Sequence, residues 1–344
     1  MALATHTNHP SSRTLVRLVP GALATLAVAV AALLLEALQH RLWGESGIPA
    51  LVLAILVGMA VRSLVDLPAI AEAGIHFCAK TVLEIAVVLL GASISLSAIE
   101  EAGGMLIAAI AVIVALSLAG SYLIGRLGGL SPRVATLVAC GNSICGNSAI
   151  IAAAPVIRAE PEEIASAIAF TAVLGVALVL VLPLLQAPLA LGPSDFGIFA
   201  GLTVYAVPQV LAATAPAGLI SVQTGTLVKL IRVLMLGPVV ASLSVLHGRR
   251  SGAGLCWKSM VPWFIIGFAT LMALRSAGLI PQPVLGPISA TSGLLTIVSM
   301  AALGLSVDIS SIRKSGTRVI VAATLSLAFL CGLALIFLKV FAAH

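Results

Sequence analysis

Residues 140–150 read CGNSICGNSAI, a doubled Gly-Asn-Ser inside an otherwise apolar stretch. On an unbroken α-helix, residues five apart are about 140° out of phase, so the two copies could not share one face. Gly141 and Gly146 weaken a helix, and Asn and Ser side chains compete for backbone hydrogen bonds. The repeat therefore predicts an interrupted helix that lets both Asn-Ser pairs converge near mid-membrane. The alternative is close helix packing through Gly and Ser, with Asn amides bonding between helices.

The chain around this stretch has the composition of an integral membrane protein. Of its 344 residues, 60% are hydrophobic and 9% charged, whereas soluble domains are about one quarter charged. Mean hydropathy is +1.20. We predict an all-α polytopic fold with about eleven transmembrane helices, at residues 20–40, 48–65, 76–97, 104–125, 133–156, 164–187, 197–215, 224–246, 261–279, 287–308 and 318–340.

The N-terminal region resembles a signal peptide, but its apolar run is too long and more spans follow. We therefore expect a cytoplasmic tail over residues 1–19 and a single transmembrane transporter domain over residues 20–340.

The distribution of Lys and Arg predicts the orientation. With the N-terminus in the cytoplasm, most cations fall on the inner side: Arg13, Arg17, Arg62, Lys80, Arg126, Arg133, Arg249, Arg250, Lys258, Arg313, Lys314 and Arg318. The outer side then holds Arg41, Arg158 and Arg275 together with Glu45, Glu100, Glu101, Glu160, Glu162 and Glu163. The C-terminus is expected in the periplasm.

Two short segments indicate an internal inverted repeat. Residues 90–103 read LGASISLSAIEEAG and residues 303–316 read LGLSVDISSIRKSG, and the expected topology runs them in opposite directions. Segments of such low complexity also match by chance, and a different pairing, of the fifth span with the tenth, stays open.

The charged residues of the neighbouring spans indicate which kind of ion the interrupted helix could bind. Asn oxygens suit a cation, and free N–H groups at a half-helix start suit an anion. The fifth span contains no carboxylate, whereas Lys229 and Arg232 lie on one face of the eighth span. A buried cation is costly and marks a functional site, although both side chains could instead snorkel to the outer interface. Glu84 and Asp308 are the candidates for proton or ion coupling.

Two further spans could line a polar path. In the seventh, Thr203, Tyr205 and Gln209 interrupt an apolar run, with Tyr205 and Gln209 four residues apart on one face and Pro208 kinking the helix. In the tenth, Thr291 and Ser292 supply milder polarity. Taken singly, each group also fits simple packing.

Other classes of function have little support in the sequence. The cysteines Cys78, Cys140, Cys145, Cys256 and Cys331 form no CxxC pair, so we expect neither a metal nor another cofactor. An intramembrane enzyme would need a base beside its nucleophile, and the histidines His6, His9, His40, His76, His247 and His344 fall in tails, loops or span ends. The basic loops follow topology rather than a nucleic-acid surface.

Several motifs resemble, in order and spacing, the bacterial inner-membrane family named as sulfate exporters, also known as a conserved hypothetical membrane family. They are SICGNSAIIAAAPVIRAE, GLTVYAVPQVLAA, LVKLIRVLMLGP and MAALGLSVDISSIRKSG. The resemblance covers roughly residues 20–340 and implies kinship with cation–proton antiporters and bile-acid symporters. The chain departs from many such relatives at Tyr205, where they have His, and at Glu84, where they have a basic residue.

The resemblance implies an inverted-repeat carrier with two crossed, discontinuous helices, of which the fifth span is one and the tenth the expected second. The expected substrate-binding residues are Gly141, Asn142, Ser143, Gly146, Asn147, Ser148, Thr203, Tyr205, Gln209, Lys229, Arg232, Thr291 and Ser292.

The leading hypothesis is a secondary transporter that exports a small inorganic or organic anion, such as sulfate or an organosulfonate, across the bacterial inner membrane. The alternatives are a proton- or sodium-coupled carrier of another solute and a membrane sensor that transports nothing. The expected partners are the anion, the lipid bilayer and a second copy of the chain in a homodimer.

Overall fold

The structure is a computed structural model that describes residues 12–43, 48–65, 67–93, 97–246, 263–306 and 317–341. These residues form helices and turns with no strand, which confirms the all-α prediction. Seven helical stretches among the described residues are long and apolar enough to cross a membrane. Large apolar side chains such as Leu34 and Leu184 stay 65% and 73% exposed on them, as lipid-facing residues do.

The helix bounds follow the predicted spans closely, and each predicted span contains helix within the described residues. The helices are α1 Ser12–Trp43, α2 Ala50–Leu64, α3 Ala69–Phe77, α4 Leu83–Leu90, α5 Ser97–Leu127, α6 Pro132–Cys140, α7 Asn147–Ile157, α8 Pro161–Leu185, α9 Pro193–Thr203, α10 Val207–Thr214, α11 Leu219–Leu234, α12 Leu236–Leu246, α13 Trp263–Ser276, α14 Gln282–Ser306 and α15 Thr317–Phe341. Wider π-helical turns occupy Cys78–Val82 and Gly141–Cys145. Helix α1 begins inside the expected tail.

The chain divides into two compact units, residues 1–86 with 292–308 and residues 87–291 with 309–344. This division does not test the expectation of one transporter domain, which stays a prediction. The repeat segments 90–103 and 303–316 lie partly outside the described residues, at 94–96 and 307–316, so the inverted repeat also stays a prediction.

The first unit is held by close helix crossings. A Cβ atom on Gly21 of α1 would lie 2.0 Å from the Ala71 carbonyl oxygen of α3. The Glu36 carboxylate of α1 accepts the N–H of Ala50, the first residue of α2, at 2.8 Å. This bond satisfies a helix-start donor that has no intrahelical acceptor.

The second unit packs α5, α8, α11 and α15 around the four short helices α6, α7, α9 and α10. Its core includes the fully buried rings of Phe170, Phe196 and Phe199. Helix α6 begins at Pro132, with the Ser131 hydroxyl accepting the Val134 N–H at 3.2 Å. This capped start defines where α6 enters the bundle.

Candidate functional site

The doubled Gly-Asn-Ser interrupts a helix, as predicted. Helix α6 continues through the wide turn Gly141–Cys145, and α7 starts at Asn147. Between them Gly146 has φ 69° and ψ −125°, a region that side chains with a Cβ atom rarely adopt. This glycine geometry is sufficient to stop the helix.

The interruption reverses the chain instead of letting it continue. The Arg133 guanidinium at the start of α6 lies 3.6 Å from the Glu160 carboxylate that follows α7, and the Ser131 hydroxyl donates to Glu163 at 3.0 Å. A continuous helix of that length would separate these ends by about 39 Å. Helices α6 and α7 therefore form a hairpin, called hairpin 1, and the prediction of a crossing fifth span is wrong. Arg133 and Glu160 share one side of the bundle, which corrects their predicted placement on opposite sides.

A second hairpin, called hairpin 2, consists of α9, residues 204–206 and α10. A Cβ atom on Gly225 of α11 would lie 3.0 Å from the Gly197 carbonyl of α9, 3.0 Å from Val210 and 3.3 Å from Thr214 of α10. Residues 197 and 214 would be about 25 Å apart along a continuous helix, so α10 returns alongside α9. The second interruption therefore lies at residues 204–206, between α9 and α10. The tenth span, in contrast, is the continuous helix α14. The prediction that the tenth span is the second broken helix is wrong.

The tips of the two hairpins meet midway along α8. The Tyr205 ring of hairpin 2 packs edge-on against Phe170 of α8 with centroids 6.2 Å apart. A Cβ atom on Gly146 would lie 3.2 Å from the Tyr205 Cβ. The Thr171 hydroxyl, next along α8, donates to the Asn147 side chain. Hairpin 1 starts beside the first residues of α8 and hairpin 2 follows its last residues, so they enter from opposite ends.

Lys229 and Arg232 of α11 join the two tips. The Lys229 ammonium donates to the carbonyl oxygens of Ile144 at 2.6 Å and Val204 at 2.7 Å, one from each hairpin. Both side chains are fully buried, which excludes the snorkelling alternative.

The Arg232 guanidinium extends the same pattern. It donates to the carbonyls of Asn142 at 2.9 Å and Ser143 at 3.3 Å in hairpin 1, and to those of Gly201 at 2.9 Å and Val204 at 3.3 Å in hairpin 2. These carbonyls end the first arm of each hairpin, where a helix has acceptors without intrahelical donors and a partial negative charge. Arg232 and Lys229 therefore cap two helix ends at once.

The helix ends around Lys229 and Arg232 carry partial charges of both signs. The two helix C-termini that accept hydrogen bonds from these side chains carry roughly half a negative charge each. The starts of α7 and α10 add roughly half a positive charge each. Among the described residues, the hydrogen-bond partners of the two cations are all backbone carbonyls. The two basic side chains therefore meet helix C-termini in place of carboxylates.

The two Asn-Ser pairs do not converge, contrary to the prediction. Asn142 and Ser143 are fully buried. The Asn142 amide donates to the Ala323 carbonyl of α15 at 3.1 Å, and the Ser143 hydroxyl bonds to Ser117 of α5 at 2.8 Å. These side chains anchor hairpin 1 to its neighbours.

Asn147 and Ser148 are exposed at the start of α7. The Ala149 and Ile150 N–H groups reach the Gly146 carbonyl, whereas those of Asn147 and Ser148 have no place in the intrahelical ladder. This short stretch combines two backbone N–H groups that have no intrahelical acceptor with a side-chain amide and a hydroxyl. Of the site residues predicted in this span, Asn147 and Ser148 are the exposed ones.

The polar residues of the seventh span have local roles. The Thr203 hydroxyl donates to the Phe199 carbonyl at 2.7 Å, and the Gln209 side chain accepts the Ala206 N–H at 3.2 Å, which caps α10. Tyr205 lies in the tip, so it does not share a helical face with Gln209 as predicted. Pro208 stands in the first turn of α10, where it starts a helix and does not kink one.

The remaining predicted residues lie elsewhere. Thr291 donates to the Pro287 carbonyl of its own helix, and Ser292 donates to the Ala86 carbonyl within the first unit, both at 2.8 Å. Glu84 is a half-buried residue of α4. Asp308 lies outside the described residues, and coupling through either acid stays a prediction. Ser117 and Thr171 were missed, although each is a lone hydroxyl in an apolar run.

The fold and site define a polytopic α-helical membrane protein in which two helical hairpins meet over a pair of buried cations. The chain belongs to the family described as Conserved hypothetical protein 698, whose model matches residues 20–323. A UPF0324 membrane protein of Agrobacterium fabrum is 61% identical over 94% of both chains. Proteins of the same description from Bartonella henselae and Bacillus cereus are 53% and 35% identical, over 92% and 87% of both chains. No solved structure matches the chain significantly.

Proposed function

We propose that this protein is a secondary transporter that carries a small anion across the bacterial inner membrane, with its N-terminus in the cytoplasm. The observation that carries the proposal is the meeting of two hairpin tips over two fully buried cations that bind only backbone carbonyls among the described residues. Charged side chains inside a membrane are costly and persist where function needs them.

The exposed start of α7 forms the binding surface. Asn147 and Ser148 offer N–H, amide and hydroxyl donors, and a helix N-terminus favours negative charge. The donors suit an oxyanion such as sulfate or a small sulfonate, which accepts several hydrogen bonds at once. Lys229 and Arg232 lie behind this surface and raise its potential without contacting the ligand.

Hairpins entering from opposite ends also suit transport. Irregular backbone at membrane depth is stable only when it is buried in protein or lines a watery cavity. Discontinuous helices that meet near the midplane provide this arrangement in transporters. Movement of the bundle around such a site would expose it alternately to the two sides.

The test is sulfate binding and radiolabelled sulfate flux in proteoliposomes with the substitution Asn147→Asp. A carboxylate in the first turn of α7 favours the helix, so the protein should fold normally. Two like charges about 4 Å apart repel by about 4 kcal/mol at an effective dielectric constant near 20. We expect binding and flux to fall at least tenfold, since each 1.4 kcal/mol is tenfold.

The matched control is Ser194→Asp, in the exposed first turn of α9, at the end of hairpin 2 away from its tip. It should leave binding and flux unchanged. Unaltered sulfate binding in Asn147→Asp would overturn the proposal, and so would tighter binding of Na⁺ by that variant, which would favour the cation-coupled alternative. A wild-type protein that binds sulfate without flux would favour a sensor.

Arg232 is a poor probe of this proposal. Its replacement removes the caps from both hairpins, so lost binding would follow from lost structure as readily as from lost charge.

A further inference from the structure

A groove opens where α5 ends and α15 begins, on a surface separate from the hairpin tips. It has a volume of about 460 Å³ and is lined by Ile124, Leu127, Gly128, Arg318, Val321 and Leu325, among others. Its floor includes Gly128, which has no side chain, and the Ala322 methyl group, 3.7 Å from the Cβ position of Gly128. The walls are larger apolar side chains.

The groove faces outward from the bundle. Leu127 is 80% exposed and Leu325 is 55% exposed, which in a membrane protein places them against lipid chains. Toward the middle of α15 the Phe329 ring lies directly on Gly120 of α5, where an added Cβ would be 2.2 Å from the ring. The helices touch there, so the groove is confined to the end of the bundle that carries the base of hairpin 1.

That end carries Arg126, Arg133 and Arg318 together with Glu160, Glu162 and Glu163. Arg318 stands in the exposed first turn of α15, and Arg126 in the last turn of α5 donates to the Leu130 carbonyl at 2.7 Å. The carboxylates of Glu160 and Glu163 pair with Arg133. Within the described ranges, no carboxylate lies at ion-pair distance from Arg318 or Arg126. Positive charge at the mouth and apolar walls within match the two parts of an anionic lipid.

We propose that this groove binds one anionic phospholipid, with its phosphate at Arg318 and an acyl chain along Leu127, Val321 and Leu325. Basic pockets between transmembrane helices at the inner interface recognise such headgroups. Because α5 and α15 anchor Ser143 and Asn142 of hairpin 1 through Ser117 and Ala323, the lipid contacts the two helices that hold the hairpin in place. The proposal does not depend on the transported solute.

The test is native mass spectrometry of the delipidated full-length protein in detergent, titrated with phosphatidylglycerol or with phosphatidylcholine of the same acyl chains. Each basic side chain near a lipid surface contributes about 1 kcal/mol. We expect Arg318→Gln to weaken phosphatidylglycerol binding about fivefold, and the wild type to prefer this lipid over phosphatidylcholine.

Two further variants separate charge from shape. Leu325→Trp fills the groove at an exposed position and should reduce binding of both lipids. Lys339→Gln removes an exposed cation at the opposite end of α15 and should change neither. Equal binding of the two lipids, or wild-type affinity in Arg318→Gln, would overturn the proposal. Competition by soluble glycerol phosphate as strong as by the lipid would also overturn it, because the acyl chain would then play no part.

Discussion

Replacement of Arg232 by Met tests whether this side chain holds the two hairpin tips together. Met has similar reach and is apolar, so the change removes the donors with little loss of packing volume. The carbonyls of Asn142, Ser143 and Gly201 would lose their Arg232 donor, while Val204 keeps Lys229.

The expected loss of stability follows from these bonds. A buried polar group left without a partner costs about 1–3 kcal/mol, so three carbonyls cost about 3–9 kcal/mol. Relief from burying a guanidinium offsets part of this cost, which leaves about 3–5 kcal/mol. At about 2–4 °C per kcal/mol for chains above 150 residues, the apparent melting temperature should fall by about 10 °C.

The assay is the monodisperse fraction that remains after heating the purified protein in detergent, measured by size-exclusion chromatography. Lys339→Met, at an exposed position in the last turn of α15, is the matched control and should melt as the wild type does. A melting temperature of Arg232→Met within about 2 °C of the wild type, well below the shift that the conversion implies, would refute the argument that these bonds hold the tips.

Two other predictions concern hairpin 1. Gly146→Ala should abolish most monodisperse protein, because φ 69° disfavours a side chain and the new Cβ would lie 3.2 Å from Tyr205; Gly293→Ala, with nothing within 4 Å of its Cβ position, should be tolerated. Single cysteines that replace Ser131 and Glu162 should react with an impermeant thiol reagent from the same side of the membrane, because the two ends of the hairpin meet. Labelling from opposite sides would show that this segment crosses the membrane.

Much of the fold could be predicted from local chemistry. Apolar runs of bilayer length and clusters of charge located the long helices among the described residues to within eight residues at each end, since hydrophobic length is a local property. The break at Gly146 was also predictable, because glycine conformation and the five-residue period act within one segment.

The direction of the chain after the break could not be predicted in this way. Crossing and returning segments have the same composition, and the contacts of Arg133 with Glu160 and of Ser131 with Glu163 distinguish them. The second break escaped prediction for a related reason: residues 204–206 carry no glycine, and the Lys229 and Arg232 bonds that hold them come from α11.

The same distinction between local sequence and tertiary packing applies to the candidate site. The sequence by itself identified CGNSICGNSAI as a broken helix. It also identified Lys229 and Arg232 as cations on one helical face, because spacing and polarity depend only on residues close together in the chain. Only the tertiary structure decided that Asn142 and Ser143 anchor the hairpin while Asn147 and Ser148 face outward. It alone placed the two cations on the carbonyls of both tips, because hydrogen bonds between residues far apart in the chain depend on how the helices pack.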